Sequence, residues 1–203
     1  MSVRIHWTLQ QAGWLWFRLE LGDWRYEADY GWCTDFPKDL LACVTALLEL
    51  DGPGVRNPPP YVEGDGEPAL DRWYLRRAGE TLHITLEQWP DGYGGDPASC
   101  ARTEQTCPLA EFGAALADSM ADLLRTYGLT GYGLNWGSDF PVSRYLQLLA
   151  WRRDIELIPR EVPRAENLGE PAWATDLADE LDLGGCQEEF GQLKKILDKS
   201  AEK

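Results

Sequence analysis

The chain has 203 residues, 44% of them hydrophobic and ten of them tryptophan, enough to close one packed domain with an extension and too few for two full domains. Its 34 acidic residues against 19 basic ones leave a net charge of −15, a field that repels nucleic acid and anionic membrane and draws basic protein surfaces over a Debye length. No stretch has the length and apolarity of a transmembrane helix, and Met1 leads straight into a strand pattern with no basic-then-apolar leader, so a cytoplasmic chain is expected.

From Val3 to Tyr30 the chain is written in period two. Leu15, Phe17, Leu19 and Leu21 alternate with Trp14, Trp16, Arg18 and Glu20, which is a strand with one buried face and one half-exposed face. Gly22-Asp23 is a two-residue turn signal, after which Trp24, Tyr26, Ala28 and Tyr30 alternate with Arg25, Glu27 and Asp29. Val3, Ile5, Trp7 and Leu9 lead into the same meander, so three antiparallel strands are predicted. Beyond them, Pro37 suits a first helical turn, and Leu40, Leu41, Val44, Leu47 and Leu48 keep helical spacing up to the Asp51-Gly52-Pro53 stop. Asn57 to Pro68 is proline- and glycine-rich and reads as a surface loop. Alternation returns from Trp73 to Glu87 as a second hairpin, expected to extend the first sheet to about five strands. Asp91 to Asp96 follows as a loop. The longest helical stripe is Leu109, Phe112, Leu116, Met120, Leu123 and Tyr127, with Gly128 as its stop. Gly131 to Gly137 reads as a loop, and a further helix runs from Pro141 to about Trp151.

Chemical motifs are scarce. No phosphate-binding loop, nucleophile elbow, zinc-protease motif or dinucleotide fingerprint occurs, and the glycines at 92, 94 and 95 fit a turn. His6 and His83 each sit opposite an isoleucine on a predicted strand, which fits a structural or solvent-facing role. The five cysteines, 33, 43, 100, 107 and 186, are odd in number and never spaced C-x-x-C, as expected of reduced thiols; a pairing of Cys100 with Cys107 stays open. Cys33 and Cys107 stand near predicted helix starts, where a thiolate is favoured, although burial as small apolar residues accounts for them too. Trp14 and Trp16 point away from the buried face and, with Arg18 and Glu20, form either a binding centre or a surface covered by the C-terminal segment.

Three stretches carry a resemblance: Asp35 to Leu48 with its F-P-K-D-L-L helix, Asp71 to Leu86, and Cys107 to Trp151 with C-P-L-A-E-F, Gly131-Tyr132, Trp136 and Phe140-Pro141. Together they resemble a group of small bacterial proteins similar to immunity proteins of polymorphic toxin systems. The resemblance spans residues 3–153, implies an inhibitor and brings no catalytic residues; separately, no cofactor or metal is expected.

The sequence therefore predicts an α+β domain over 1–153, an antiparallel sheet of about five strands with helices at 36–50, 109–127 and 141–152 mainly on one face. Residues 154–203 are expected to form a linker and short helical tail, packed on the domain or on a partner. The expected function is an acidic protein-binding protein, an immunity protein that neutralises a cognate basic toxin by occluding its active site. Its contacts would be Trp14, Trp16, Glu20, Glu27 and Asp29 on the sheet, and Asp91, Tyr93 and Asp96 in the loop. A small-molecule or glycan-binding module using the tryptophans and a hydrolase using a carboxylate pair are the alternatives.

Overall fold

The computed structural model describes residues 2–10, 12–48, 61–92 and 95–155. Over these the protein is α+β, with two antiparallel sheets and three helices. The first sheet is the meander that the alternation predicts: β1 (Val3–Leu9), β2 (Trp14–Leu21) and β3 (Trp24–Gly31), in the order β1-β2-β3. Leu21 pairs with Trp24 across the Gly22-Asp23 turn, and Gly22 takes the positive φ of 60° that this turn needs.

A single sheet of about five strands does not form. The second hairpin, β5 (Ala69–Ala78) and β6 (Thr81–Trp89), is flanked by β4 (Val62–Gly66) and β7 (Ala101–Pro108) in a separate sheet of order β4-β5-β6-β7. β4 lies inside the stretch read as a loop, and β7 is polar on both faces except at buried Cys107. The sheets meet where β3 and β4 run side by side, and they fold towards one another. Phe17 of β2 and Trp73 of β5 consequently stand edge to face at 5.7 Å, in one aromatic cluster with Tyr30 and Phe36.

Helix α1 (Phe36–Leu47) buries Phe36, Leu40, Leu41 and Val44 against β4 and β5. Its preceding residue, Asp35, makes no capping bond. Its carboxylate instead accepts from Trp136 Nε1 at 3.0 Å and Ser138 Oγ at 2.8 Å. Helix α2 (Leu109–Trp136) lies along β1 and reaches β6 and β7, burying the predicted stripe from Leu109 to Leu123. Gly128 does break helical geometry, with φ 65° and ψ −179°, but the helix resumes and ends at Gly137. The expected loop from Gly131 is therefore helical up to Trp136, with Tyr132 and Trp136 both buried. Helix α3 (Val142–Trp151) follows.

The free edge of β1 is closed by α2. The Tyr127 hydroxyl accepts from the Leu9 N–H at 3.1 Å and donates to the Leu9 carbonyl at 3.2 Å, and Trp7 Nε1 donates to Ser119 Oγ at 2.7 Å. Among the described residues no helix is long and apolar enough to cross a membrane. The expected linker and helical tail lie outside the described residues beyond Ile155.

Candidate functional site

Strand register decides which charges the outer face of the first sheet presents. Arg4, Glu20 and Arg25 stand in one cross-strand row, His6, Arg18 and Glu27 in the next, and Thr8, Trp16 and Asp29 in the third. Arg18 pairs with Glu27 at 2.8 Å and with Glu20 at 3.8 Å, Arg4 reaches Glu20 at 3.8 Å, and Arg25 also holds Glu27. The Arg25 hydrogen bond, helped by Arg18, keeps the Glu27 carboxyl below its usual range. Arg4, Arg18 and Arg25 thus offset Glu20 and Glu27, so the first two rows are not acidic, and Asp29 in the third row has no arginine beside it. The Arg18 guanidinium also stands over the Trp16 ring, 4.5 Å from its centroid, so one face of that indole is already engaged.

Uncompensated acid collects further along, where β3 runs out beside β4. The Trp14 indole lies across Gly31, 3.8 Å from where a β-carbon would stand. Trp32 follows and is 64% exposed, with its ring laid over Gly13. Asp29, across from Trp16, accepts only from Gln10 Nε2 at 2.8 Å among the described residues. The β4–β5 turn brings Asp65 and Glu67 to the same end of β3. The Asp65 N–H donates to Thr34 Oγ1 at 3.2 Å, and the Cys33 thiol donates to Glu67 Oε1 at 3.4 Å. Asp65, Glu67 and Asp91 line a shallow hollow of about 350 Å³ with Pro68, Leu70 and Gly92. None of Asp29, Asp65, Glu67 and Asp91 has an ion pair among the described residues.

This corner brings together Trp14, Trp16, Asp29 and Asp91 of the residues expected at the site, and it leaves out Glu20 and Glu27. Asp96 has a local role, accepting from the Ala98 N–H at 2.9 Å to cap the 3-10 turn Pro97–Ser99. Tyr93 lies outside the described residues. Trp32, Asp65 and Glu67 were not singled out in the sequence. The two acids lie on a turn that only the fold carries to β3.

Cys33, Asp65 and Glu67 hold their donor atoms within 4.8 Å of one another, spacing that suits a cation. The Cys33 thiol, however, is pushed up chiefly by its hydrogen bond to Glu67, which opposes the thiolate a metal would need. Cys107 lies in β7 just before Pro108, the residue that caps the start of α2, and burial pushes its thiol to about 12. The four described cysteines, 33, 43, 100 and 107, are all free, so Cys100 and Cys107 do not pair.

A second polar feature, buried in the core, had no sequence motif to announce it. Asp71 is 6% exposed and accepts from the Tyr26 hydroxyl and, at 2.7 Å, from the Tyr30 hydroxyl, which in turn accepts from Trp73 Nε1 at 3.1 Å. Burial raises the Asp71 carboxyl above its usual value despite both hydroxyl donors. This network ties β3 to β5 across the line where the sheets meet. The chain matches no family model, no curated protein and no solved structure.

Proposed function

We propose that the chain is a binding protein for a basic protein, acting as an immunity-type inhibitor that covers the active site of a cognate bacterial toxin. One observation carries this reading: four carboxylates with no ion pair among the described residues, Asp29, Asp65, Glu67 and Asp91, adjoin three outward tryptophans, Trp14, Trp16 and Trp32. Acid with no local counter-charge projects a field that steers a basic partner inwards, and aromatic side chains at the centre of a contact slow its release. Residues 154–203 add 13 acidic and 6 basic side chains to the same total field.

The test is affinity capture from native cells with the tagged full chain, followed by kinetics on the captured partner. A basic protein should be held at low salt and released at high salt. Asp29→Lys with Asp91→Lys should slow association by about tenfold or more at low salt. Glu20→Lys with Glu27→Lys should act more weakly, because those acids are already balanced. Trp16→Ala should speed dissociation. Capture of no basic protein, or association indifferent to Asp29 and Asp91, refutes the proposal.

A further inference from the structure

Among the described residues, three of the four strand edges in the two sheets are covered. α2 closes β1 through Tyr127 and Ser119, and β3 and β4 lie against each other. β7 ends the second sheet, pairing with β6 on one side, while α2 continues directly from its last residue. Its register with β6 is unbroken from Ala101 opposite Gln88 to Pro108 opposite Thr81. It contains no bulge, no lysine and no proline before Pro108, and its exposed charged residues, Arg102 and Glu104, are of opposite sign.

The side chains along this edge complement their own copy. In an antiparallel pairing of two β7 strands with the two-fold axis at Thr103, Arg102 of each copy faces Glu104 of the other, and Ala101 faces Gln105. Moving the axis to Arg102 or to Glu104 sets like charges opposite one another, so charge selects Thr103. Arg102 and Glu104 are 58% and 68% exposed, and among the described residues their ion pairs are with each other and, for Arg102 at 3.9 Å, with Glu87. We propose that the protein is a two-fold dimer joined through β7, its two four-stranded sheets continuing into one of eight strands.

The join would align the outer grooves of the two second sheets, each about 700 Å³ and lined by Tyr74, Arg76, His83, Glu87, Arg102 and Glu104. It stands apart from the β3–β4 part of the aromatic and acidic corner, because β7 is three strands from β4, roughly 14 Å at about 4.8 Å per strand. Dimerisation and capture of a basic partner are separate claims that fail separately.

Sedimentation velocity of the full chain over a wide dilution series, in salt that screens the net charge, tests the dimer. The 22.9 kDa chain should move from monomer to dimer as concentration rises. Arg102→Glu alone and Glu104→Arg alone should each weaken the dimer about tenfold or more, since symmetry makes each reversal act twice. The double variant Arg102→Glu/Glu104→Arg should restore it. Circular dichroism and thermal unfolding of the variants should match the parent, because both side chains are exposed. A monomer at every concentration, or a dimer indifferent to the reversals, or a double variant no better than the singles, overturns the proposal.

Discussion

Gly64 offers a case in which local propensity and packing predict opposite signs. A glycine inside a strand is weaker than alanine by about 0.5–1 kcal/mol on backbone entropy, so Gly64→Ala in β4 would stabilise an isolated strand. In the fold, a β-carbon at 64 would stand 2.3 Å from Tyr30 Cε1 and 2.5 Å from its Cζ. The ring cannot simply retreat. Phe36 backs it at 4.4 Å, and its hydroxyl is fixed between Asp71 at 2.7 Å and Trp73 Nε1 at 3.1 Å. Overpacking costs about 1–3 kcal/mol and a weakened buried hydrogen bond about 1 kcal/mol, giving a loss of about 2–4 kcal/mol. For a domain of this size that lowers Tm by roughly 5–15 °C. Urea unfolding followed by tryptophan fluorescence and by circular dichroism measures it. The same substitution in a Tyr30→Leu background should cost at least about 1 kcal/mol less, because the clashing ring is gone. A neutral or stabilised Gly64→Ala, or an equal cost in both backgrounds, refutes the close packing of β4 on Tyr30.

Asp71 makes a pH-dependent prediction. Its folded-state pKa is raised above the unfolded value of 3.8, so its contribution is fully present below that value and is lost as pH rises through the folded one. Asp71→Asn keeps an acceptor for Tyr26 and Tyr30, and its unfolding free energy should gain on the parent as pH climbs from weakly acidic to neutral; parallel pH profiles would sink this. Tyr127→Phe should cost about 1–2 kcal/mol and speed hydrogen exchange of the Leu9 amide, since it strips both bonds from the β1 edge. Exchange unchanged at Leu9 would show that the edge is closed by something else. Cys43 and Cys107 are buried with thiols pushed to about 12, so maleimide at neutral pH should label Cys33 well ahead of both, with all three equal in urea. Equal native labelling would place β7 and α1 wrongly.

Alternation reports which face of a strand is buried, and for β2 it does so completely: Leu15, Phe17, Leu19 and Leu21 are all 3% exposed or less. It does not report which strand pairs with which. β4 was hidden because Gly64 has no side chain, its place being filled by Tyr30 from β3, which leaves Val62 as the strand's one apolar residue. β7 was hidden because an edge strand has a single neighbour and can remain polar. The extension of α2 was more legible than the glycine suggested. Leu129, Tyr132 and Trp136 keep three- and four-residue spacing, and the two-residue step from Tyr127 to Leu129 is the phase slip that Gly128 produces.

Composition supplied the sign of the field but not where it acts. Once Gly22-Asp23 is taken as the turn, the pairing Leu21 with Trp24 forces Glu20 against Arg25, Arg18 against Glu27 and Trp16 against Asp29. The balancing of Glu20 and Glu27 by arginine was therefore available from the sequence, and so was the lack of an arginine opposite Asp29. What the sequence did not supply is Asp65 and Glu67, or the joining of the second sheet to the first along β3 and β4 that sets them and the expected Asp91 at the Asp29 end of the first sheet. A basic partner drawn by net charge meets arginine-balanced rows over most of the first sheet and, at that corner, carboxylates that have no ion pair among the described residues. Salt should consequently weaken capture through Asp29 and Asp91 far more than through Glu20 and Glu27, even though all four carry the same formal charge.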